Sequence, residues 1–352
     1  MAKRAPSRPS RSDRRAGIAA PAPDGGAVAR GTLRLAVFES GAVRESSGPD
    51  ARRERAAAQE GTGPTVWADY TSPGPDEVAE IAAALDLHPL IVEDIVEGNQ
   101  RSKIELTDGL IHLVVFALDY RDGVVATEID LVLGLGFLLT VHDAGWDAHS
   151  MARMRGWLAG LMERGPDHLL WAIVDSVVDG YFPFVDRLGD AIDDVQDAVV
   201  EKAEAEDLQR LFVLKRELHE VRRAVSPVRE ILNQLTNRDL ALIDAEEVLY
   251  FRDVYDHLIR LTDELDNYRE LAAGTLDVYL SKVNNNLSEI MKRLTGVTVI
   301  VAGVGAVAGI FGMSEAGAAF AGGEAAGFWG VTIGSVVAAA AVAFYLRRID
   351  WI

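Results

Sequence analysis

Few residues in this sequence have the types and the spacing that enzyme catalysis requires. His219 is followed by Glu220, as at the start of a zinc-protease helix, but no second histidine follows at helical spacing. Asp193 and Asp194 are adjacent acids, yet they fit a solvated helix face better than general acid and base work. The sequence contains no glycine-rich phosphate loop, and zero cysteines exclude thiolate metal sites and cysteine nucleophiles. We therefore expect that the protein is not an enzyme.

The chemistry that remains concerns cations. The formal net charge is −19, from 35 Lys and Arg against 54 Asp and Glu. A nucleic-acid partner is excluded because phosphate binding needs a basic protein face. Divalent cations are the expected partners, while an acidic surface that serves solubility alone is the alternative, and composition leaves both open.

Two segments near the C-terminus carry no charge. Leu294 to Ser314 and Ala325 to Leu346 contain no Asp, Glu, Lys or Arg. Each is about 20 residues long, which is enough for a helix to cross a hydrocarbon core of about 30 Å. We predict two membrane-spanning helices, with a buried hairpin of a soluble core as the alternative.

The charges beside these segments predict their orientation. Basic residues flank the pair and are absent between them, where the loop carries Glu315 and Glu324. The flanking basic residues are Lys292, Arg293, Arg347 and Arg348. The positive-inside rule then places both termini in the cytoplasm of a cytoplasmic-membrane protein, and the basic residues are expected to anchor it to lipid headgroups.

Short β-rich segments alternate with helical segments in the sequence before the two predicted spans. The predicted strands are Leu33–Phe38, Leu110–Leu118, Ile129–Leu133 and Phe137–His142, and the predicted helices are Pro75–Leu85, His88–Val96, Ala172–Lys202 and Asp207–Leu235. Pro183 and Pro227 are expected to interrupt the last two helices. The predicted segments are a disordered basic arm (1–30), a cytosolic α/β domain (31–150), cytosolic helices (151–245), a stalk helix continuing into the first span (246–313, the span at 294–313), an external loop (314–324), the second span (325–346) and a cytosolic tail (347–352).

The stalk is predicted from one long apolar stripe. No proline follows Pro227, and apolar residues recur every third or fourth position from Phe251 to Leu294. Gly274 and Gly296 weaken this continuity slightly, because glycine is a poor helix former. A stripe of this length needs partners, so we expect an oligomer in which stalk helices pack around an axis.

Several segments of this sequence resemble the CorA family of divalent-metal transport proteins. They are His88-Pro89-Leu90-Ile91-Val92-Glu93-Asp94-Ile95, Phe251-Arg252-Asp253-Val254-Tyr255-Asp256-His257, Asp277-Val278-Tyr279-Leu280-Ser281, Asn284-Asn285-Asn286, Met291-Lys292-Arg293-Leu294-Thr295, Ala308-Gly309-Ile310-Phe311-Gly312-Met313 and the ending Tyr345-Leu346-Arg347-Arg348-Ile349-Asp350-Trp351-Ile352. The resemblance covers nearly the whole chain after about residue 60. It implies an α+β cytosolic domain, a long stalk helix and two C-terminal transmembrane helices, assembled as a funnel-shaped homopentamer.

By this resemblance, the first membrane helix of each subunit lines a central pore. The residues on the pore face would be Ser288, Met291, Leu294, Thr298, Ala302, Gly305, Gly309, Gly312, Met313 and Ser314. That face has no carboxylate, which suits Mg²⁺ passing with its first water shell. Met291 and Leu294 would form a constriction that closes by dewetting, or would simply pack between helices.

The outer end departs from the family pattern. Gly312-Met313-Ser314 stands where the family has Gly-Met-Asn, and a serine hydroxyl is shorter than an asparagine amide. The sequence therefore leaves three functions open. The first is an Mg²⁺ channel that also carries Co²⁺ or Ni²⁺, the second is a zinc-preferring transporter, and the third is a weakly conducting pentamer that senses metal.

The resemblance also implies regulatory Mg²⁺ sites between subunits. The matching positions are Asp94 and Asp253, with Glu93, Asp175 and Asp256 as additional ligands. Facing carboxylates repel unless a divalent cation bridges them, so bound metal would stabilise the closed state. For Asp253 the alternative is a solvated residue paired with Arg252 or His257.

Overall fold

The computed structural model describes residues 31–48, 64–98, 101–107, 109–120, 123–149, 157–312, 324–349 and 351. Its N-terminal part contains a seven-stranded sheet. The strands are β1 (Thr32–Glu39), β2 (Ala42–Ser47), β3 (Thr65–Thr71), β4 (Lys103–Thr107), β5 (Leu110–Tyr120), β6 (Val124–Gly134) and β7 (Phe137–His142). The four predicted strands all lie within observed strands. β2, β3 and β4 were missed because each is short and carries few apolar residues in alternation.

The order of the strands is β2-β1-β3-β7-β6-β5-β4. The β3–β7 pair is parallel, whereas β1 pairs antiparallel with β2 and β3, β6 with β7, and β4 with β5. The first six residues of β5 and the last six of β6 are continuously buried. Both segments are therefore covered on both faces, which explains why they are apolar apart from His112 and Asp130.

Two helices lie between β3 and β4. α1 (Pro75–Leu85) and α2 (Pro89–Glu97) each begin with a proline, which lacks the N–H that would be unsatisfied at a helix start. The Nδ1 atom of His88 accepts a hydrogen bond from the Leu90 backbone N–H at 3.2 Å and so caps α2. Ile81 and Ile91 are fully buried in the core cluster that includes residues of β1, β3 and β7. These contacts fix the position of α2, which carries Glu93 and Asp94.

The rest of the described chain is helical. The helices are α3 (Leu158–Arg164), α4 (Pro166–Asp179), α5 (Phe182–Glu201), α6 (Ala205–Asn237), α7 (Val248–Gly312) and α8 (Glu324–Arg348). Pro183 lies in the first turn of α5, where a proline is tolerated. The interruption expected at Pro227 was wrong, because Pro227 lies inside α6 and that helix continues for ten residues beyond it. Gly274 and Gly296 lie inside α7 without a break.

The chain divides into two compact units. The first comprises Met1–Asp119, Val125–Asp179 and Pro227–Tyr255, and the second comprises Tyr120–Val124, Gly180–Ser226 and Asp256–Ile352. In the first unit, Asp167 Oδ2 accepts a hydrogen bond from the Asp244 backbone N–H at 2.9 Å. In the second, Lys282 Nζ of α7 donates a 2.6 Å hydrogen bond to the Val200 carbonyl of α5. The contacts of α5 and α6 with the lower part of α7 hold this helix within its own chain.

Candidate metal centre and pore helix

Asp94 lies on α2 beside the edge strand β4. Its Oδ2 atom accepts a hydrogen bond from Lys103 Nζ at 2.5 Å, and the same ammonium donates to Glu105 Oε1 at 2.8 Å. Burial lowers the pKa of Lys103, but the hydrogen bonds and charges of Asp94 and Glu105 outweigh that effect, so the pKa is raised. Lys103 is therefore a fixed cation between two carboxylates at physiological pH.

His112 extends this cluster into the sheet. It lies opposite Glu105 in the antiparallel register of β4 and β5. One ligand atom from each of Asp94, Glu105 and His112 can be chosen such that all three lie within 4.8 Å of one another. Sequence reasoning identified Asp94 but missed Glu105 and His112. A lone histidine inside the apolar strand Leu110–Tyr120 was the one available signal.

The other predicted metal ligands are not members of this cluster, and they differ in burial. Glu93 is exposed on α2, Asp253 and Asp256 are exposed on α7, and Asp175 is buried on α4. Within the described residues of one chain, no group of three metal-ligand atoms contains both Asp94 and Asp253.

The apolar stripe of α7 changes its surroundings along the helix. Leu258, Leu261, Leu265 and Ala272 have 0% exposure, and Thr275 is also buried. Beyond Val283 the large apolar residues are exposed instead, including Met291 at 60% and Leu294 at 66%. The lower half of the stripe is thus covered by the chain itself, and the expectation that the whole stripe needs other copies was too broad.

In the upper half of α7, apolar side chains are exposed on opposite faces of the helix. Ile290 and Val299 are both more than half exposed, and nine residues separate them, which places them on opposite sides. The predicted pore face is exposed at each described side-chain position: Ser288, Met291, Leu294, Thr298, Ala302, Gly305 and Gly309. An apolar helix surface that is exposed on opposite sides requires a cover of lipid or protein.

Among the described residues, one helix is long and apolar enough to cross a membrane. This helix is α7, and its most apolar stretch is almost entirely exposed. The second predicted span corresponds to α8. Gly312 ends α7, while Met313 and Ser314 lie outside the described residues.

The basic residues at the predicted membrane edge lie on α7 and α8. Lys292 and Arg293 are exposed on α7, and Arg293 Nη2 pairs with Glu289 Oε1 one turn earlier at 2.5 Å. Arg347 and Arg348 form the last turn of α8, where positive charge offsets the helix dipole.

A family model described as CorA-like Mg²⁺ transporter protein matches residues 63–348. Over 244 residues the chain is 35% identical to the cobalt/magnesium transport protein CorA of Thermotoga maritima, a match that covers 68% of this chain and 70% of that one. It is 28% identical over 249 residues to the putative metal ion transporter YfjQ of Bacillus subtilis, covering 70% and 78%.

The fold also matches a solved structure. The complete CorA magnesium transporter from Methanocaldococcus jannaschii superposes with a TM-score of 0.73 at 20% identity, covering 93% of this chain and 100% of that chain. At this identity the match concerns the fold alone, an α+β part followed by a long C-terminal helix.

Proposed function

Because this chain belongs to the CorA-like Mg²⁺ transporter family, we propose that it carries divalent cations, Mg²⁺ foremost and Co²⁺ next, across the cytoplasmic membrane. The observation that carries this proposal is the upper half of α7, which is apolar and exposed on opposite faces yet continuous with a lower half whose apolar face is buried. Family membership also agrees with the expectation that the protein is not an enzyme.

The proposed assembly is a homopentamer. In it, the exposed upper half of α7 lines a central pore, and α8 packs outside and faces lipid. Five copies would cover the apolar surface that a single chain leaves exposed between Leu280 and Ile310. The basic residues that flank the two helices favour cytoplasmic placement of both termini.

The proposed pore passes a hydrated ion. Mg²⁺ loses its waters reluctantly, and a wall without carboxylates cannot replace them. A ring of Met291 and another of Leu294 would close the pore by excluding water rather than by physical block. Gly312, Met313 and Ser314 would form the outer mouth, where the serine hydroxyl takes the place of an amide.

The proposed regulation uses Mg²⁺ between subunits. Asp253 is exposed on α7, which supports a site that it shares with a neighbouring chain. Glu93, Asp175 and Asp256 are proposed as additional ligands. Bound Mg²⁺ would hold neighbouring subunits together, and its loss would release them, so that high internal Mg²⁺ closes the pore.

Uptake into proteoliposomes tests the proposed transport. The native chain and Ser314→Asn are compared with Mg²⁺, Co²⁺ and Zn²⁺ supplied outside and an ion-sensitive dye inside. We expect Mg²⁺ uptake by the native chain. Uptake by Ser314→Asn alone would overturn conduction and favour the metal-sensing pentamer, and faster uptake of Zn²⁺ than of Mg²⁺ would favour the zinc-preferring transporter.

Limited proteolysis tests the regulatory site. We expect that millimolar-range Mg²⁺ protects the native oligomer and no longer protects Asp253→Lys. Asp263→Lys places the same charge change on an exposed position of the same helix and is the matched control. If Mg²⁺ protects Asp253→Lys as well as it protects the native chain, Asp253 is not a ligand.

A further inference from the structure

His112 is a fully buried histidine of the sheet. The side chain has 0% exposure, and its Nε2 atom lies 2.8 Å from Asp130 Oδ1. A carboxylate accepts hydrogen bonds, so Nε2 donates to Asp130, and Nδ1 is the ring nitrogen that remains for another contact. Among the described residues, no hydrogen-bond partner reaches Nδ1. Leaving a buried polar atom without a partner is unfavourable, which makes this atom a candidate for a ligand that the protein itself does not supply.

Two carboxylates surround that nitrogen. Glu105 Oε2 lies 4.0 Å from His112 Nδ1, and Asp94 brings its carboxylate from α2 so that the three ligand atoms lie within 4.8 Å of one another. Ligands about 2.1 Å from a tetrahedral metal are about 3.4 Å apart, so a shift of roughly 1 Å in each side chain would close the site. Glu105 and Asp94 are partly buried, and both carboxylates are bound by Lys103 Nζ, so closing the site requires that these contacts lengthen.

Asp130 stands where an outer carboxylate is found at histidine metal sites. A metal-bound histidine commonly donates its other ring N–H to a carboxylate, which fixes the ring and increases its basicity. Asp130 is buried and lies on β6. The ring of His112 is therefore already oriented with Nδ1 toward Glu105.

We infer that Asp94, Glu105 and His112 form a site inside each chain for a borderline transition-metal ion such as Co²⁺ or Zn²⁺. One imidazole nitrogen with two carboxylates suits these ions, whereas Mg²⁺ requires six oxygen ligands. Three protein ligands leave a position for water or for a further donor.

Lys103 acts as the internal competitor for this metal. Its ammonium binds Glu105 through Oε1, which leaves Oε2 directed toward His112. It also neutralises Asp94, so the two acids are stable together without metal. A divalent ion that enters must bind against this fixed positive charge, and the site would therefore respond to metal excess rather than to trace amounts.

The site differs from the proposed regulatory Mg²⁺ site in its construction. All three ligands come from one chain and from the same compact unit, so the site requires neither the pentamer nor an open pore. It shares only Asp94 with the proposed regulatory set. Occupation by a transition metal would remove Asp94 from the Mg²⁺ site, which couples the two kinds of metal through one carboxylate.

Titration with Co²⁺ tests this inference. The full-length chain in detergent, with metal removed and Mg²⁺ present in large excess, is titrated with Co²⁺ while the visible absorption is recorded. We expect one Co²⁺ per chain with the intense bands of a four- or five-coordinate site. His112→Gln should abolish these bands, while His219→Gln, which removes an exposed histidine on α6, should not change them.

Two further variants test the site without touching the buried histidine. Glu105→Gln should weaken Co²⁺ binding by about 10-fold or more, and Lys103→Met should strengthen it by about 10-fold. The inference is overturned if the native chain shows no such bands, or if the bands persist unchanged in His112→Gln and Glu105→Gln. Mg²⁺ uptake by the same proteins is measured separately, so that loss of the Co²⁺ site with intact flux, or the reverse, distinguishes the two proposals.

Discussion

The Nδ1 atom of His168 lies 2.6 Å from Oε2 of Glu247, one residue before α7 begins. Glu247 is almost fully buried and also accepts a 2.7 Å hydrogen bond from Arg164 Nη2. One carboxylate thus joins α3, α4 and the start of the long helix.

Replacing this carboxylate should destabilise the protein. Glu247→Gln keeps the shape but removes the charge and one acceptor oxygen, so the side chain can no longer accept hydrogen bonds from His168 and Arg164 through separate oxygens. We expect the apparent melting temperature in detergent to fall by about 5 °C. Glu246→Gln, at the exposed neighbour, should leave the melting temperature unchanged. Equal melting temperatures for the two variants would contradict a structural role for Glu247.

Gly189 should not tolerate a side chain. A Cβ atom there would lie 2.5 Å from the Tyr268 hydroxyl, whereas a Cβ at Gly274 would meet nothing within 4 Å. Gly189→Ala is expected to push α5 away from α7 and to destabilise the chain by about 1–3 kcal/mol. Gly274→Ala should instead stabilise α7 by about 0.5–1 kcal/mol. Thermal unfolding of both variants measures the contrast, and a stabilising Gly189→Ala would show that the contact is loose.

His142 should make stability depend on pH. Burial lowers the pKa of His142, but the hydrogen bond and charge of Asp69 outweigh this, so the folded-state pKa is raised. The contribution is therefore fully present below the unfolded pKa of about 6.5 and is lost as pH rises through the folded pKa. We expect the native chain to exceed His142→Gln in melting temperature by more at pH 6 than at pH 8.5.

His149 acts in the opposite direction and serves as the internal check on that measurement. Burial lowers its pKa, so its contribution is lost as pH falls below about 6.5. Because His149 also lies 3.7 Å from the Asp69 carboxylate, His142→Gln changes its surroundings, and His149→Gln measures its own part of the pH dependence. A melting-temperature difference between native and His142→Gln that grows with pH would contradict the Asp69–His142 pair.

Leu294 should control closure of the proposed pore. A polar ring at this position would stay wet, so Leu294→Ser is expected to leak Mg²⁺ into proteoliposomes even when internal Mg²⁺ is high. Val299→Ser makes a similar change about 140° around the helix and should keep the pore closed. Dye-reported influx at millimolar-range internal Mg²⁺ is the measurement, and equal influx in the two variants would place the constriction elsewhere.

Long apolar patterns predicted the fold well. The apolar residues spaced three or four positions apart from Phe251 to Leu294 correspond to one helix, Val248–Gly312. The short β-rich segments correspond to β1, β5, β6 and β7. Pro227 shows the limit of local rules, because a helix that is packed along its length tolerates the lost hydrogen bond. β4 was missed because its fold depends on pairing with β5 rather than on its own residues.

The candidate metal site was only partly predictable for the same reason. Asp94 came from a family motif, but Glu105 and His112 meet it through strand register, which sequence spacing alone does not encode. The role of Lys103 was likewise invisible, since an acid and a lysine nine residues apart in different elements give no local pattern.

A small tilt of the upper part of α7 would give a larger displacement at Leu294. The buried face of α7 ends at Thr275, the Lys282–Val200 hydrogen bond lies two turns beyond, and the helix continues without a break to Leu294. A rigid helix that tilts by about 5° at Thr275 moves Leu294, about 28 Å further along, sideways by about 2.5 Å. A tilt too small to disturb the packing below Thr275 would therefore displace Leu294 by about the diameter of a water molecule.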